Sequence, residues 1–509
     1  MMKLLNPIDS LLNSMTMYRT VLYGLILILV FALLFGATGI LPFSPLGILG
    51  SLGILLITCF TTNKLLARVF HAAENAESWL ITALILCLIL TPIRNIQGVY
   101  IVFLAGVLAM ASKYFLAIQK KHLFNPAVLA IFLLGVMGFG NILWWVGSKE
   151  LLIVVTIVGL LIVRKIRRFH LFFSFLLTSV VMIIFMGLSI GQGIVASFQE
   201  AFISWPTIFF GTVMLTEPLT TPPTKGKQLL YGAVVGFLFG ARFSFGPIYS
   251  TPQLALLLGN ILSYVLSSKQ KLFLTLKERL PMGADMYELI FEPNKPLRFF
   301  PGQYLEWTLP HKKMDSRGNR RYFTIASSPT ETDVRLGVKI TKDRSSSFKQ
   351  KLLSMQKGEM ISAAQLAGDF TLPTDARKKL VFIAGGIGVT PYRSMVKYLI
   401  DNRENRDIIM FYAHALSDGF VYKDLFETGR KIGLKTHYLL TVPEKDMPKG
   451  WNGKVGYLTK EMLQEVVPDY KDRVFYLSGP SRMVDTYKEL LRSVGVFPTN
   501  IVTDYFPGF

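Results

Sequence analysis

Cysteine is almost absent from this chain, with 2 in 509 residues, Cys59 and Cys87, both inside apolar runs. No Cys-x-x-Cys occurs, which excludes thiolate-ligated iron–sulfur clusters and cysteine-based zinc sites. Both cysteines read as small buried hydrophobes. Histidine is also scarce, 6 in all. His71, His122 and His170 lie at the edges of apolar runs among basic residues, and no run carries two. That argues against a transmembrane haem held between facing histidines, and a snorkelling interfacial side chain explains each of them. Acidic residues number 33 against 54 Lys and Arg, for a net charge of +21. In the first half much of the positive charge sits in short loops between apolar runs. There the positive-inside rule and anionic lipid account for it, so lipid rather than nucleic acid is the expected partner.

What the chain has in abundance is apolar residues, 51% of the total, crowded into the first half. Met1 to Thr20 is polar for too long to be a signal peptide, and the run Val21 to Ile40 shows no cleavage site, so it is expected to be retained. About ten apolar segments follow one another, near 21–41, 46–60, 79–92, 99–116, 127–146, 151–163, 171–190, 203–216, 229–240 and 252–266. With the N-terminus inside, the outward loops hold Arg94, Lys149 and Arg242, while the inward loops hold Lys64, Arg68, Lys120, Lys121, Arg164, Lys165, Arg167, Arg168, Lys225 and Lys227. This bias implies an even number of spans in a cytoplasmic membrane, with both termini in the cytoplasm.

Laid on itself at an offset of 126, the separation of Ser78 from Ser204, the first half matches at Ser78-Trp79 and Ser204-Trp205, Pro92 and Pro218, Gly106 and Gly232, and Pro126 and Pro252. By the loop parity the two copies have opposite sense, an inverted repeat that would place a site where helices break at mid-membrane. The break candidates are Phe124-Asn125-Pro126 and the proline- and threonine-rich run Thr216 to Lys227. Glu217 is an acid at the edge of a span, a functional position by default. A reverse turn at the membrane surface is the plainer alternative for that run.

Lys121-His122-Leu123-Phe124-Asn125-Pro126-Ala127 and Leu215-Thr216-Glu217-Pro218-Leu219-Thr220 resemble signatures of the membrane family that contains the D subunit of Rnf complexes and the B subunit of the sodium-pumping NADH:quinone oxidoreductase. The likeness covers most of residues 1–266, Gly259-Asn260 included. It implies a domain that binds flavin and passes electrons through the bilayer, with Asn125, Thr216, Glu217 and Thr220 at the flavin. Glu217 stands where the family usually has aspartate. The family also attaches a flavin to a threonine on a long loop, whereas here Asn141 to Glu150 is short and holds no threonine. The membrane flavin implied is therefore a non-covalent FMN or riboflavin.

From residue 272 the pattern changes to short β runs separated by turn residues, among them Tyr287–Phe291, Tyr304–Leu309 and Tyr322–Ile325, as in an antiparallel barrel. After about 377 strands alternate with helices, starting from Leu380–Ala384, as in a parallel doubly wound domain. The expected architecture is thus a multi-domain membrane protein. An about ten-span helical domain with an inverted repeat occupies 1–268, a β-barrel 272–376 and an α/β domain 377–509.

Gly385-Gly386-Ile387-Gly388-Val389-Thr390-Pro391 follows a buried strand and opens a helix, where glycines let backbone approach a pyrophosphate and the helix N-terminus favours negative charge. Together with Arg321-x-Tyr322-x-Thr324 upstream and Ser478-Gly479-Pro480 downstream, it makes residues 272–509 resemble the ferredoxin–NADP⁺ reductase superfamily. That resemblance implies FAD and NADH or NADPH as cofactors. Arg321 would neutralise the FAD pyrophosphate, while Tyr322 and Phe323 pack at the ring and Thr324 meets its polar edge. Ser346 and Ser347 would cap the pyrophosphate, although a solvated turn explains those serines equally. Gly385, Gly386, Gly388, Thr390, Pro391, Gly479 and Pro480 would hold the dinucleotide. Ser478 replaces the family's usual cysteine beside the nicotinamide, and Phe506, or Phe509, would cover the flavin until nicotinamide displaces it. An ordinary packed tail is the alternative for those aromatics. The segment His414 to Tyr422 lacks an arginine for a 2′-phosphate, which favours NADH.

The expected activity is NAD(P)H-dependent oxidoreduction, with electrons passing from cytosolic FAD to a membrane flavin and on to a quinone or an extracytosolic flavoprotein. A redox-driven ion transporter and a membrane-anchored flavin or quinone reductase are the alternatives.

Overall fold

The structure is a computed structural model that describes all residues except 1–7, 10, 13–14, 71–75, 119–120, 140–142, 247, 268–270, 284, 312–313, 316–317, 342–344, 443–449, 452 and 505–509. The chain divides into two compact units, one ending at Ser268 and one beginning at Lys269.

The first unit is helical. Its helices are α1 Met17–Ala37, α2 Pro45–Val69, α3 Ala76–Ile89, α4 Ile96–Phe115, α5 Pro126–Val136, α6 Leu152–Ile166, α7 Phe169–Ser189, α8 Ile194–Ile203, α9 Lys225–Gly240 and α10 Pro252–Leu266. A short turn, Thr207–Phe209, runs into a π-helical turn at Phe210–Met214 between α8 and α9. Among the described residues, 4 helices are long and apolar enough to cross a membrane: α1, α2, α4 and α7. This corrects the expectation of about ten spans. Apolar runs were counted, but run length is not helix length. The run at 79–92 folds as 14 helical residues ending before Pro92, and that at 127–146 as 11 residues from Pro126 to Val136. At 1.5 Å per residue, 11 residues rise about 16 Å, roughly half the hydrocarbon thickness. The inverted sense of the repeat rested on that count of spans and lapses with it. Pro126 and Pro252 nevertheless take the same local role, each in the first turn of a helix whose N-cap side chain, Asn125 or Thr251, accepts a backbone N–H. The long apolar helices make this unit membrane-associated.

The second unit has two sheets. Strands β1 Leu272–Gly283, β2 Met286–Pro293, β3 Tyr304–Thr308, β4 Arg320–Thr324, β5 Val334–Lys339 and β6 Met360–Ala367 form an antiparallel sheet in the order β4-β3-β6-β1-β2-β5. Its two edges meet where Ala326 N–H donates to Arg335 C=O at 2.9 Å. Inward residues such as Leu274, Leu289, Phe291, Leu305, Trp307 and Leu336 fill it, and Phe348 and Leu352 of α11 (Ser347–Ser354) join the same core.

Strands β7 Leu380–Gly385, β8 Ile408–His414, β9 Leu434–Leu440, β10 Lys454–Val455, β11 Val474–Ser478 and β12 Ile501–Thr503 form a parallel sheet in the order β10-β9-β8-β7-β11-β12. Strand β7 is buried on both faces. Phe382 packs in one core with Tyr392, Val396 and Leu399 of α12 (Thr390–Asp401), and Val381 and Ile383 pack in the other with Leu463 of α14 (Lys460–Val466) and Val484 and Leu491 of α15 (Ser481–Ser493). A shorter helix, α13 (Lys423–Thr428), follows β8. The strand order turns back between β7 and β11, and in such sheets a ligand crevice opens at the carboxyl ends of those two strands.

Candidate functional site

Strands β7 and β11 pair in register, Ala384 opposite Ser478, so the turns that leave them lie side by side. One is the glycine turn Gly385–Val389, in which Gly386 has φ +53°. The other is Ser478-Gly479-Pro480. A Cβ placed on Gly388 would lie 2.5 Å from Gly479 Cα, so only glycine lets the two turns approach this closely. Thr390 and Pro391 begin α12, with the Thr390 hydroxyl donating to Ile387 C=O at 3.2 Å. The Thr390 N–H also bonds Ile387 C=O, so the 3-10 turn Gly386–Val389 runs directly into the helix.

Ser478 Oγ donates to Asp504 Oδ2 at 3.3 Å, and Thr324 Oγ1 donates to the same oxygen at 3.5 Å. One carboxyl thus joins the last residue of β4 on the antiparallel sheet to the last residue of β11 on the parallel sheet. Burial pushes the Asp504 pKa up to about 7, outweighing the two hydroxyl donors that act to lower it. Sequence reasoning passed over Asp504. Its signal was its place in Asp504-Tyr505-Phe506, two residues before the aromatic singled out as the flavin cover. Phe506 and Phe509 lie outside the described residues.

Tyr322 is half-buried beside Tyr304, ring centroids 5.5 Å apart and edge to face. Its hydroxyl lies 2.9 Å from both Glu306 Oε2 and Gln365 Oε1. Gln365 reaches it from a register shift in β6 with φ +52°, an uncommon conformation for a residue with a side chain. Phe323 turns the other way, against Phe348 at 5.9 Å. It belongs to the barrel core and not to the face that carries Tyr322.

Arg321 is buried. It donates through Nη2 to Asp315 Oδ1 at 3.3 Å and through Nη1 to Gly318 C=O at 3.2 Å, over the ring of Phe348. Ser346 is the N-cap of α11 and accepts Lys349 N–H, so its hydroxyl serves its own helix. Ser347 N–H donates to Asp315 Oδ2 at 3.1 Å. The two donors that the sequence assigns to a pyrophosphate are therefore brought together, and an anion of the chain's own lies between them. The donor set thus holds an anion, here a carboxylate.

The two β-sheet halves of this unit are locked beside the site. Arg393 on α12 makes a bidentate ion pair with Glu331 and donates to Ala326 C=O, while Ser394 donates to Ser327 C=O at 2.7 Å. Burial acts to raise the Glu331 pKa, but hydrogen bonds and charge from Arg393, aided by Ser328 N–H and Arg335, hold it below the usual carboxylate range. Arg335 also pairs with Glu288, which accepts from the Tyr422 hydroxyl.

In the helical unit, Asn125, Thr216 and Glu217 line one cavity with Ser78, Thr82 and Lys113. Asn125 Nδ2 donates to Glu217 Oε2 at 2.9 Å, and Thr220 Oγ1 donates to the same oxygen at 3.2 Å. Asn125 N–H donates to Asn260 Oδ1, and Asn260 Nδ2 to the Tyr231 hydroxyl. The Thr216 hydroxyl instead closes back on Thr212 C=O in its own helix. Lys113, which sequence reasoning missed, donates to Ser78 C=O, Ser78 Oγ and Thr82 Oγ1 at 3.0–3.1 Å. The signal was a lysine inside a span-length apolar run. The cavity volume, about 80 Å³, is that of a few waters and less than a whole flavin.

A family model described as "Oxidoreductase NAD-binding domain" matches residues 382–489. The glycine betaine monooxygenase reductase subunit of Chromohalobacter salexigens is 28% identical over 216 residues, covering 42% of this chain and 57% of that protein. The flavohemoprotein of Bacillus anthracis is 27% identical over 220 residues, covering 42% and 54%. The chain thus spans about half the length of the curated relatives it matches. Among solved structures, a cytochrome P450 reductase from Amycolatopsis aligns at 21% identity with a TM-score of 0.41, covering 47% of this chain and 70% of that one. The flavohem-like FAD/NAD binding domain of a nitric oxide dioxygenase from Vibrio cholerae aligns at 18% with 0.40, covering 46% and 98%. The chain therefore carries an oxidoreductase NAD-binding domain over residues 382–489, in one chain with a membrane-associated helical region.

Proposed function

We propose that this chain is a membrane flavoprotein that takes electrons from cytosolic NAD(P)H through FAD to a second, non-covalent flavin in the helical unit, and on to a quinone or an extracytosolic flavoprotein. The observation that carries the first half of this reading is the shared carboxyl of Asp504. It ties Thr324 of the flavin motif to Ser478 of the nicotinamide turn, so that both cofactor motifs converge on one point.

Bound FAD supplies acceptance of an electron pair from NAD(P)H and its release one electron at a time. The chain supplies alignment. Arg321 and the Ser347 amide hold the FAD phosphate, and Tyr322, braced by Glu306 and Gln365, presents its ring edge to the flavin. Gly386, Gly388 and Gly479 admit the dinucleotide backbone, and Ser478 fixes the nicotinamide side. Asp504, with its pKa raised to about 7 by burial, exchanges a proton near neutral pH while its Oδ2 accepts from the two hydroxyls. In the helical unit, Asn125, Glu217 and Thr220 bind the polar edge of the second flavin, and Lys113 places a positive charge on the opposite wall. With the module on the cytoplasmic side, an electron leaving a negative-inside cell gains about 2.3 kcal/mol per 100 mV. The resemblance of Leu215–Thr220 and Lys121–Ala127 to the Rnf D and sodium-pump B subunits supports this half.

The test uses proteoliposomes with NADH and two acceptors, ferricyanide in the bulk and a short-chain quinone in the bilayer. Asn125→Ala and Thr220→Val are expected to leave ferricyanide reduction intact and to lower quinone reduction at least tenfold. Full quinone reduction in both variants would reduce the helical unit to an anchor.

A further inference from the structure

The connection between β3 and β4 places one acid, Asp315, where a phosphate is expected. Its carboxylate makes two contacts of the kind a phosphate oxygen makes: Oδ1 accepts from the Arg321 guanidinium at 3.3 Å, and Oδ2 accepts the Ser347 amide at the start of α11 at 3.1 Å. The backbone adds a return bond, Asp315 N–H to Ser347 Oγ at 2.9 Å, and His311 Nε2 lies 3.0 Å from the same hydroxyl. A guanidinium and a helix N-terminus each favour an anion, and here both donate to one carboxylate.

We infer that Asp315 is an internal occupant of the cofactor's phosphate site, and that FAD loads by displacing it. The inference rests on the flavin reading above. Two anions cannot share one guanidinium and one amide without repulsion in a half-buried setting. A pyrophosphate brings more charge and more oxygens than a carboxylate, so it displaces Asp315, but with lower affinity and slower entry than at a vacant site. A phosphate-free flavin has no business with either donor and is indifferent to Asp315.

The experiment measures flavin binding to the full-length protein in detergent, stripped of flavin, by quenching of flavin fluorescence. FAD is compared with riboflavin, which has the same ring and no phosphate. Asp315→Asn, and Asp315→Ala as a second variant that keeps no acceptor, are expected to bind FAD at least tenfold more tightly and to associate faster. Their affinity for riboflavin is expected to stay within twofold of the parent. Unchanged FAD binding overturns the inference, as does weaker binding, which would make Asp315 a support for Arg321 instead of its occupant. An equal gain for riboflavin also overturns it, because the effect would then lie at the ring. If the parent protein binds riboflavin and FAD equally weakly, the flavin reading itself fails. Parent binding of FAD with no difference in the variants sinks the inference alone.

Discussion

Ser478 and Asp504 lie 3.3 Å apart, hydroxyl to carboxyl, at the ends of neighbouring strands of the parallel sheet, and the same carboxyl oxygen reaches Thr324 on the other sheet. This carboxyl joins Thr324 to the Ser478-Gly479-Pro480 turn, and its chemistry depends on pH.

Asp504 binds its proton more tightly in the folded protein, at about 7, than an ordinary aspartate, at about 3.9. Between those values the folded state holds more protons than the unfolded chain. The stability this contributes is complete below about pH 4 and is lost as pH rises through 7. Asp504→Asn is neutral throughout and loses none of it. The melting temperature of the variant relative to the parent is therefore expected to rise between pH 5 and pH 8.5, followed by circular dichroism. A constant difference across that range would contradict the assignment.

Arg393→Leu removes the bidentate pair with Glu331 and the bond to Ala326 C=O, leaving Glu331 with Arg335 and the Ser328 N–H in a largely enclosed place. Breaking a buried pair from one side costs about 3–5 kcal/mol, and Glu331 is exposed enough to bring this toward about 2–3. Limited proteolysis is expected to cut the variant between the two sheets, around residues 368–379, under conditions in which the parent stays whole.

Tyr322→Phe keeps the ring and strips Glu306 and Gln365 of a shared partner. FAD content is expected to persist, with the reduction rate by NADH lowered roughly three- to tenfold, in line with about 1 kcal/mol for one hydrogen bond. Tyr322→Ala removes the ring as well, and FAD is expected to be lost on gel filtration. Equal FAD retention in both variants would remove Tyr322 from the flavin face.

Glu217 accepts from both Asn125 and Thr220 in the helical unit. Glu217→Gln keeps the shape and removes the charge opposite Lys113. Quinone reduction in proteoliposomes is expected to fall at least tenfold while ferricyanide reduction holds. Equal loss of both activities would instead show a folding defect.

The two glycine-bearing turns were legible in the sequence because their demands are local. Gly386 takes φ +53° and Gly388 meets Gly479, and a strand followed by such a turn announces itself within ten residues. Asn125 and Glu217 were legible as breaks in apolar runs, and the fold joins them by a hydrogen bond. What was not legible depends on distant partners. Asn260 is 135 residues from the Asn125 amide it caps, and Asp504 is 180 residues from Thr324. Asp315 sits in a polar loop where an acid draws no notice, and only the tertiary contact shows it on Arg321. The span count failed for a different reason. Composition shows where a run is apolar, whereas Pro92, Pro126 and Pro218 decide where the helix can continue.

The measurement to make first is the flavin content of the purified full-length protein, by acid extraction and mass analysis. The expected result is FAD together with FMN or riboflavin, both released by acid, at about one each per chain. FAD alone would leave the cavity at Asn125 and Glu217 without a redox role and the helical unit as an anchor.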